Sequence, residues 1–128
     1  MKLKHVAVTQ NSEGETPVPS VWRPTLRAIV DALVAQDHAL TRTIPDVLPV
    51  SPKTAKHIQE YINDYGETLI PLPENTWKTS CCVWADPHWD VFVDLYTEGE
   101  GQSDMVLQVK VHPATNGFTH EVHMVYVP

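Results

Sequence analysis

Apolar residues follow a helical period in the first half of this chain and a period of two in the second. From Trp22, the positions Trp22, Leu26, Ile29, Val30, Leu33 and Val34 fall on one helical face, while Arg23, Arg27, Asp31 and Gln36 fall elsewhere. Ser20 is placed to cap this helix. Pro24 is tolerated in its first turn, where a missing N–H has no intrahelical partner. The helix is expected to end near Asp37. Pro45 and Pro49 forbid regular helix from Thr41 to Val50. Ser51-Pro52 then opens a second helix with the stripe Ala55, Ile58, Ile62 and Tyr65, and Gly66 stands at its left-handed stop.

After Trp77 the alternation predicts strands over Thr79–Ala85, Trp89–Thr97, Ser103–His112 and Phe118–Val127. Loops of a few residues join the last three, at Glu98–Gln102 and Pro113–Gly117, so these strands are expected to run antiparallel. A further short strand is read at Leu3–Thr9. Pro71 and Pro73 hold Glu67–Pro73 extended but outside a sheet interior. The expected fold is α+β: two N-terminal helices packed on one face of a C-terminal antiparallel sheet of about four strands. Residues 1–128 are read as one domain, with a strand or arm over 1–20, a helical part over 21–66 and the sheet over 78–128.

Alternation also assigns the two sheet faces. Trp89, Val91, Val93 and Leu95 are expected inward, with Met105, Leu107, Val109 and Val111, then Phe118, Val122, Met124 and Tyr126. The outward side carries Asp90, Phe92, Asp94 and Tyr96, then Val106, Gln108, Lys110 and His112, then Glu121, His123, Val125 and Val127. Pairing His112 with Thr119 sets Lys110 opposite Glu121 and Gln108 opposite His123, with Asp90 or Phe92 near Lys110. Rigid aromatics among carboxylates suit a protein contact, which makes Asp90, Phe92, Asp94, Tyr96, Glu121 and His123 the candidate partner-binding residues.

Charge sharpens this picture. The 128-residue chain carries 9 Lys and Arg against 16 Asp and Glu, a formal charge of −7. Such a surface repels nucleic-acid phosphates and attracts a basic protein. No signal peptide and no membrane span are read in the sequence, so a cytoplasmic, membrane-free protein is expected. Cys81 and Cys82 are adjacent, too close for a disulfide framework, and read as buried thiols.

The chemistry-bearing residues form no catalytic motif. His120 and His123, three apart on a strand, point to opposite faces. There is no HExxH, CxxC, EF-hand, phosphate loop or nucleophile elbow. No cofactor or metal is expected. His88, Asp90 and His123 are the acid–base candidates of an alternative reading, a small-molecule enzyme or ligand-binding protein with a pocket in a curved sheet. The tryptophans Trp22, Trp77, Trp84 and Trp89 read as core or core rim.

The stretches His88–Glu98 and Glu121–Pro128, together with Val21-Trp22-Arg23-Pro24, look like small uncharacterised bacterial proteins. In type the chain is similar to the immunity proteins that protect bacteria from their own toxins. That resemblance implies a small acidic cytosolic domain that binds one toxin domain; the acidic surface suits occlusion of a basic active site, and exposed sheet edges make a homodimer, beside a monomer, an expected state. The resemblance assigns no residue. An inhibitor of another cellular or viral system shares the same binding physics.

Overall fold

The computed structural model describes residues 5–128. Its elements run β1 (Thr16–Pro17), a 3-10 turn (Ser20–Trp22), α1 (Arg23–Val34), α2 (Pro52–Tyr65), β2 (Leu69–Ile70), a second 3-10 turn (Glu74–Lys78), β3 (Cys81–Trp84), β4 (Trp89–Thr97), β5 (Gly101–Ala114) and β6 (Gly117–Tyr126). The fold is α+β, with a six-stranded antiparallel sheet ordered β1-β3-β4-β5-β6, and with β2 on the β3 side of β4 at its far end. Six strands replace the expected four because β1 and β2 are two residues long, too short for alternation to announce. Helix α2 lies mid-chain. Leu3 and Lys4, from the expected first strand, are outside the described residues, and His5–Thr9 forms no strand.

Helix α2 obeys its sequence signals. The Ser51 hydroxyl accepts the Thr54 N–H at 3.1 Å, Pro52 takes the first helical position, and Gly66 closes the helix at φ 82°. Helix α1 departs from its signals at both ends. Ser20 does not cap it; the Ser20 hydroxyl accepts the Val6 N–H at 2.8 Å and ties the N-terminal arm to the 3-10 turn. The helix stops at Val34, and Gln36 turns left-handed at φ 63°.

Both helices and the inward side of the sheet close one core. Trp22, Leu26, Ile29, Val30 and Ile58 meet Val91, Val93, Leu95, Met105, Leu107 and Val109 there, all fully buried. Burial of side chains of this size contributes roughly 1.5–3 kcal/mol each. An aromatic knot fixes one end: Trp22 packs edge-on against Trp89 at 5.1 Å and Phe118 at 5.4 Å between centroids. The Trp89 indole N–H donates to the Thr9 carbonyl at 2.7 Å, so the same knot holds the arm.

Most of the register matches expectation: Asp90 faces Lys110, Lys110 faces Glu121, and His112 faces Thr119. A bulge between Gln108 and Val109 then changes the phase of β6. Gln108 pairs with Met124, and His123 is the extra residue, exposed and opposite no partner. One inserted residue exchanges the faces of everything beyond it. Val125 therefore turns into the core, fully buried, while Met124 and Tyr126 join the outward face.

Candidate functional site

The outward face of the sheet is the surface that neither α-helix covers. Strand β4 brings Asp90, Phe92, Asp94 and Tyr96 to it; β5 brings Val106, Gln108, Lys110 and His112; β6 brings Thr119, Glu121, Met124 and Tyr126; β3 brings Cys81 and Val83. The six residues singled out from the sequence do not share one environment. Phe92 is half-buried between Cys81 and Gln108 on the neighbouring strands. Tyr96 is only 9% exposed, opposite Ile70 of β2, and offers a partner little area. His123 stands outside the cross-strand pairs.

The carboxylates divide in the same way. Asp94 is bound into the fold: its side chain accepts the Thr79 hydroxyl at 2.5 Å, its N–H donates to Ser80 Oγ at 3.0 Å, and its carbonyl accepts the buried Thr76 hydroxyl at 2.7 Å. Among the described residues, the Asp90 side chain meets Gln108 and His88, and that of Glu121 meets His112. Asp90 Oδ1 accepts Gln108 Nε2 at 3.3 Å and lies 3.2 Å from His88 Nε2. Glu121 Oε1 lies 2.9 Å from His112 Nε2. The His88 and His112 rings sit 5.6 Å apart, so two histidine–carboxylate pairs meet at one end of the face. The Glu121 side chain remains 47% exposed and that of Asp90 25%.

The low-dielectric side of this face is legible in its titrating groups. Burial, reinforced by the nearby Glu15 carboxylate, pushes the Cys81 thiol up to about 12. Burial also raises the Tyr126 phenol, with Cys81 and Asp90 adding to the effect. On the core side of β3 the Cys82 thiol is raised by burial against a hydrogen bond from Thr16. Neither cysteine has the electropositive setting of a nucleophile.

Sequence reading missed the His112–Glu121 contact and the membership of Met124 and Tyr126 in this face. The β6 bulge hid the last two, and nothing in the alternation signals a bulge. His112 was placed on the face but its link to Glu121 runs diagonally from the position opposite Thr119. The acid–base grouping of the alternative reading is not assembled: His88 meets Asp90, whereas His123 belongs to the bulge. A wide cleft lies beside the N-terminal arm, and two smaller hollows flank Thr41–Pro49 and Asn63–Leu69; His88, Asp90 and His123 line none of these three. Among the described residues no three His, Cys, Asp or Glu side chains converge as metal ligands. No helix among them is long and apolar enough to cross a membrane.

The arrangement defines an α+β domain with helices on one side of an antiparallel sheet and an amphipathic, acidic face on the other. The chain belongs to the family described as Domain of unknown function (DUF7668), whose model matches residues 30–128. The match spans the end of α1, all of α2 and β2 to β6, and hence every residue named on the outward face. It brings no description of toxin immunity. No curated protein and no solved structure matches the chain.

Proposed function

We propose that this chain is a protein-binding module that docks a basic partner on the outward face of its sheet, in the manner of a bacterial immunity protein covering a toxin's active site. The observation that carries the reading is the composition of a face the helices leave bare. Phe92, Met124 and Tyr126 supply apolar area of low conformational entropy, and Asp90 and Glu121 rim it with negative charge. Lys110 between them is flanked by a carboxylate on each side. The chain's charge of −7 adds a long-range field that draws a cationic protein toward this surface. A toxin nuclease, whose active site must accommodate phosphate, has the complementary charge. An immunity protein of this kind works in the cytoplasm of the cell that makes it.

The test is affinity purification of the tagged chain from its native host, with mass spectrometry of the proteins that remain bound at low salt. The reading expects one stoichiometric basic protein that elutes as salt rises. Recovery of the chain alone, or of a partner indifferent to salt, overturns it.

A further inference from the structure

A cleft of about 1110 Å³ opens between the N-terminal arm, the start of α1 and the Glu74–Lys78 turn. Its charge is opposite to that of the whole molecule. Arg23, Arg27 and Lys78 line it, and Glu74 is the one carboxylate among its lining residues. Glu74 is committed to Arg27, whose guanidinium also donates to the Leu72 carbonyl at 2.7 Å. Among the described residues Arg23 bonds a neutral acceptor, the Val18 carbonyl, at 3.0 and 3.2 Å from two of its nitrogens. Lys78 is in no ion pair among the described residues. Among the described residues, Arg23 and Lys78 are therefore left without a counter-ion, in a chain of net charge −7.

The cations are also held in place. Both guanidiniums lie over the Trp77 ring, Arg23 at 5.2 Å and Arg27 at 5.5 Å from its centroid. Trp77 is 6% exposed, so the indole is a fixed platform, and a guanidinium stacked on it is pre-organised for an anion. The remaining wall is largely apolar, with Ala7, Pro17 and Pro24 beside the arm. A hollow of this volume accommodates a drug-sized molecule.

We infer that this cleft binds a small organic anion, a carboxylate or sulfonate carried on an apolar, ring-sized body. The acidic head pairs with Arg23 and Lys78, and the body lies along Ala7 and Pro17. The site shares none of Asp90, Phe92, Lys110, Glu121, Met124 and Tyr126 with the outward face, and it stands or falls independently of the docking reading.

The probe is 1-anilinonaphthalene-8-sulfonate, followed by fluorescence titration, with neutral N-phenyl-1-naphthylamine as its uncharged counterpart. Saturable binding of the sulfonate to the folded protein is expected. Lys78→Glu, at an exposed position with no fold-supporting bond, should weaken the sulfonate about fivefold, the order of one screened ion contact at a protein surface, and leave the neutral probe unchanged. Ala7→Trp fills the apolar wall from an exposed position and should abolish saturable binding of both. Absence of saturable binding overturns the inference. So does a sulfonate affinity unmoved by either variant, or an equal loss of both probes on Lys78→Glu with circular dichroism unchanged.

Discussion

His120 and Asp46 are joined twice through one oxygen: the His120 backbone N–H donates to the Asp46 carbonyl at 2.7 Å, and His120 Nδ1 lies 3.3 Å from the same atom. With the Leu48 N–H donating to the His120 carbonyl at 2.9 Å, the segment after α1 is zipped onto the free edge of β6. An exposed edge is thereby covered without a regular strand. A carbonyl only accepts, so Nδ1 carries the proton, and Nε2 is left buried with no partner among the described residues.

That arrangement makes stability depend on pH. Burial holds His120 below its ordinary 6.5, against a smaller opposing pull from Asp46. The unfolded chain takes up a proton near that value while the folded chain refuses it. Stability is therefore fully present above 6.5 and is lost as pH falls toward the depressed folded value. His38, lowered by burial against the nearby Asp37 carboxylate, adds to the same trend. Urea midpoints followed from about pH 7.5 down to about pH 5 should decline. His120→Asn keeps a donor for Asp46 and removes the titration, so its decline should be shallower. An identical slope in the variant would show that His120 is not the group responsible.

Helix α2 offers a cleaner test of local energetics. Ser51→Ala removes the cap on Thr54 and should cost about 1 kcal/mol. Gly66→Ala meets no atom within 4 Å, so only the left-handed backbone at φ 82° opposes it, at about 1–2 kcal/mol. The two ends of this 14-residue helix are roughly 20 Å apart. The double variant should therefore lose the two costs added together, to within about 0.5 kcal/mol, by denaturant titration. A larger discrepancy would mean that the helix unfolds as a unit before the rest.

The paired cysteines should be poor nucleophiles. Cys81, raised to about 12, carries almost no thiolate at neutral pH, and Cys82 is 1% exposed. Iodoacetamide should alkylate the native protein far more slowly than free cysteine, with urea restoring the ordinary rate. Glu15→Gln removes one of the charges that raise Cys81 and should accelerate its modification modestly. Prompt modification of native Cys81 would contradict the buried, acidic setting.

Where local signals agreed with tertiary packing, the sequence was a sufficient guide. Ser51, Pro52 and Gly66 delimit α2 because each acts on its own turn. The core sides of β4 and β5 follow from alternation alone, since Val91, Val93, Leu107 and Val109 have no competing place to go. Ser20 misled because its hydroxyl found a partner 14 residues away, in Val6, rather than in its own helix. Met124, Val125 and Tyr126 were assigned to the wrong faces because a bulge at His123 is a property of the pair of strands, absent from either strand read singly. The cleft is invisible to periodicity for a related reason. Arg23 and Arg27 read as the polar side of a helix, and only the fold sets Trp77 and Lys78 beside them.

The carboxylates of the outward face separate docking from folding. Asp94 sits among Thr76, Thr79 and Ser80, so Asp94→Asn weakens a charge-assisted bond of the fold and should lower stability by about 0.5–1.5 kcal/mol. Thr76→Val strips a fully buried hydroxyl from the Asp94 carbonyl and Ser80, and should cost about 1–3 kcal/mol. Asp90→Asn with Glu121→Gln keeps the shapes and acceptors that His88, Gln108 and His112 use, and removes only charge. Cross-strand pairs with Lys110 are worth at most about 1 kcal/mol each, so this double variant should fold nearly as well as the parent. Its binding should suffer instead: a slower association with the basic partner and a flatter dependence on salt, read by surface plasmon resonance at several ionic strengths. If the double variant binds with the parent's rate and salt slope, the partner docks elsewhere, and the acidity of this face serves only its solvation.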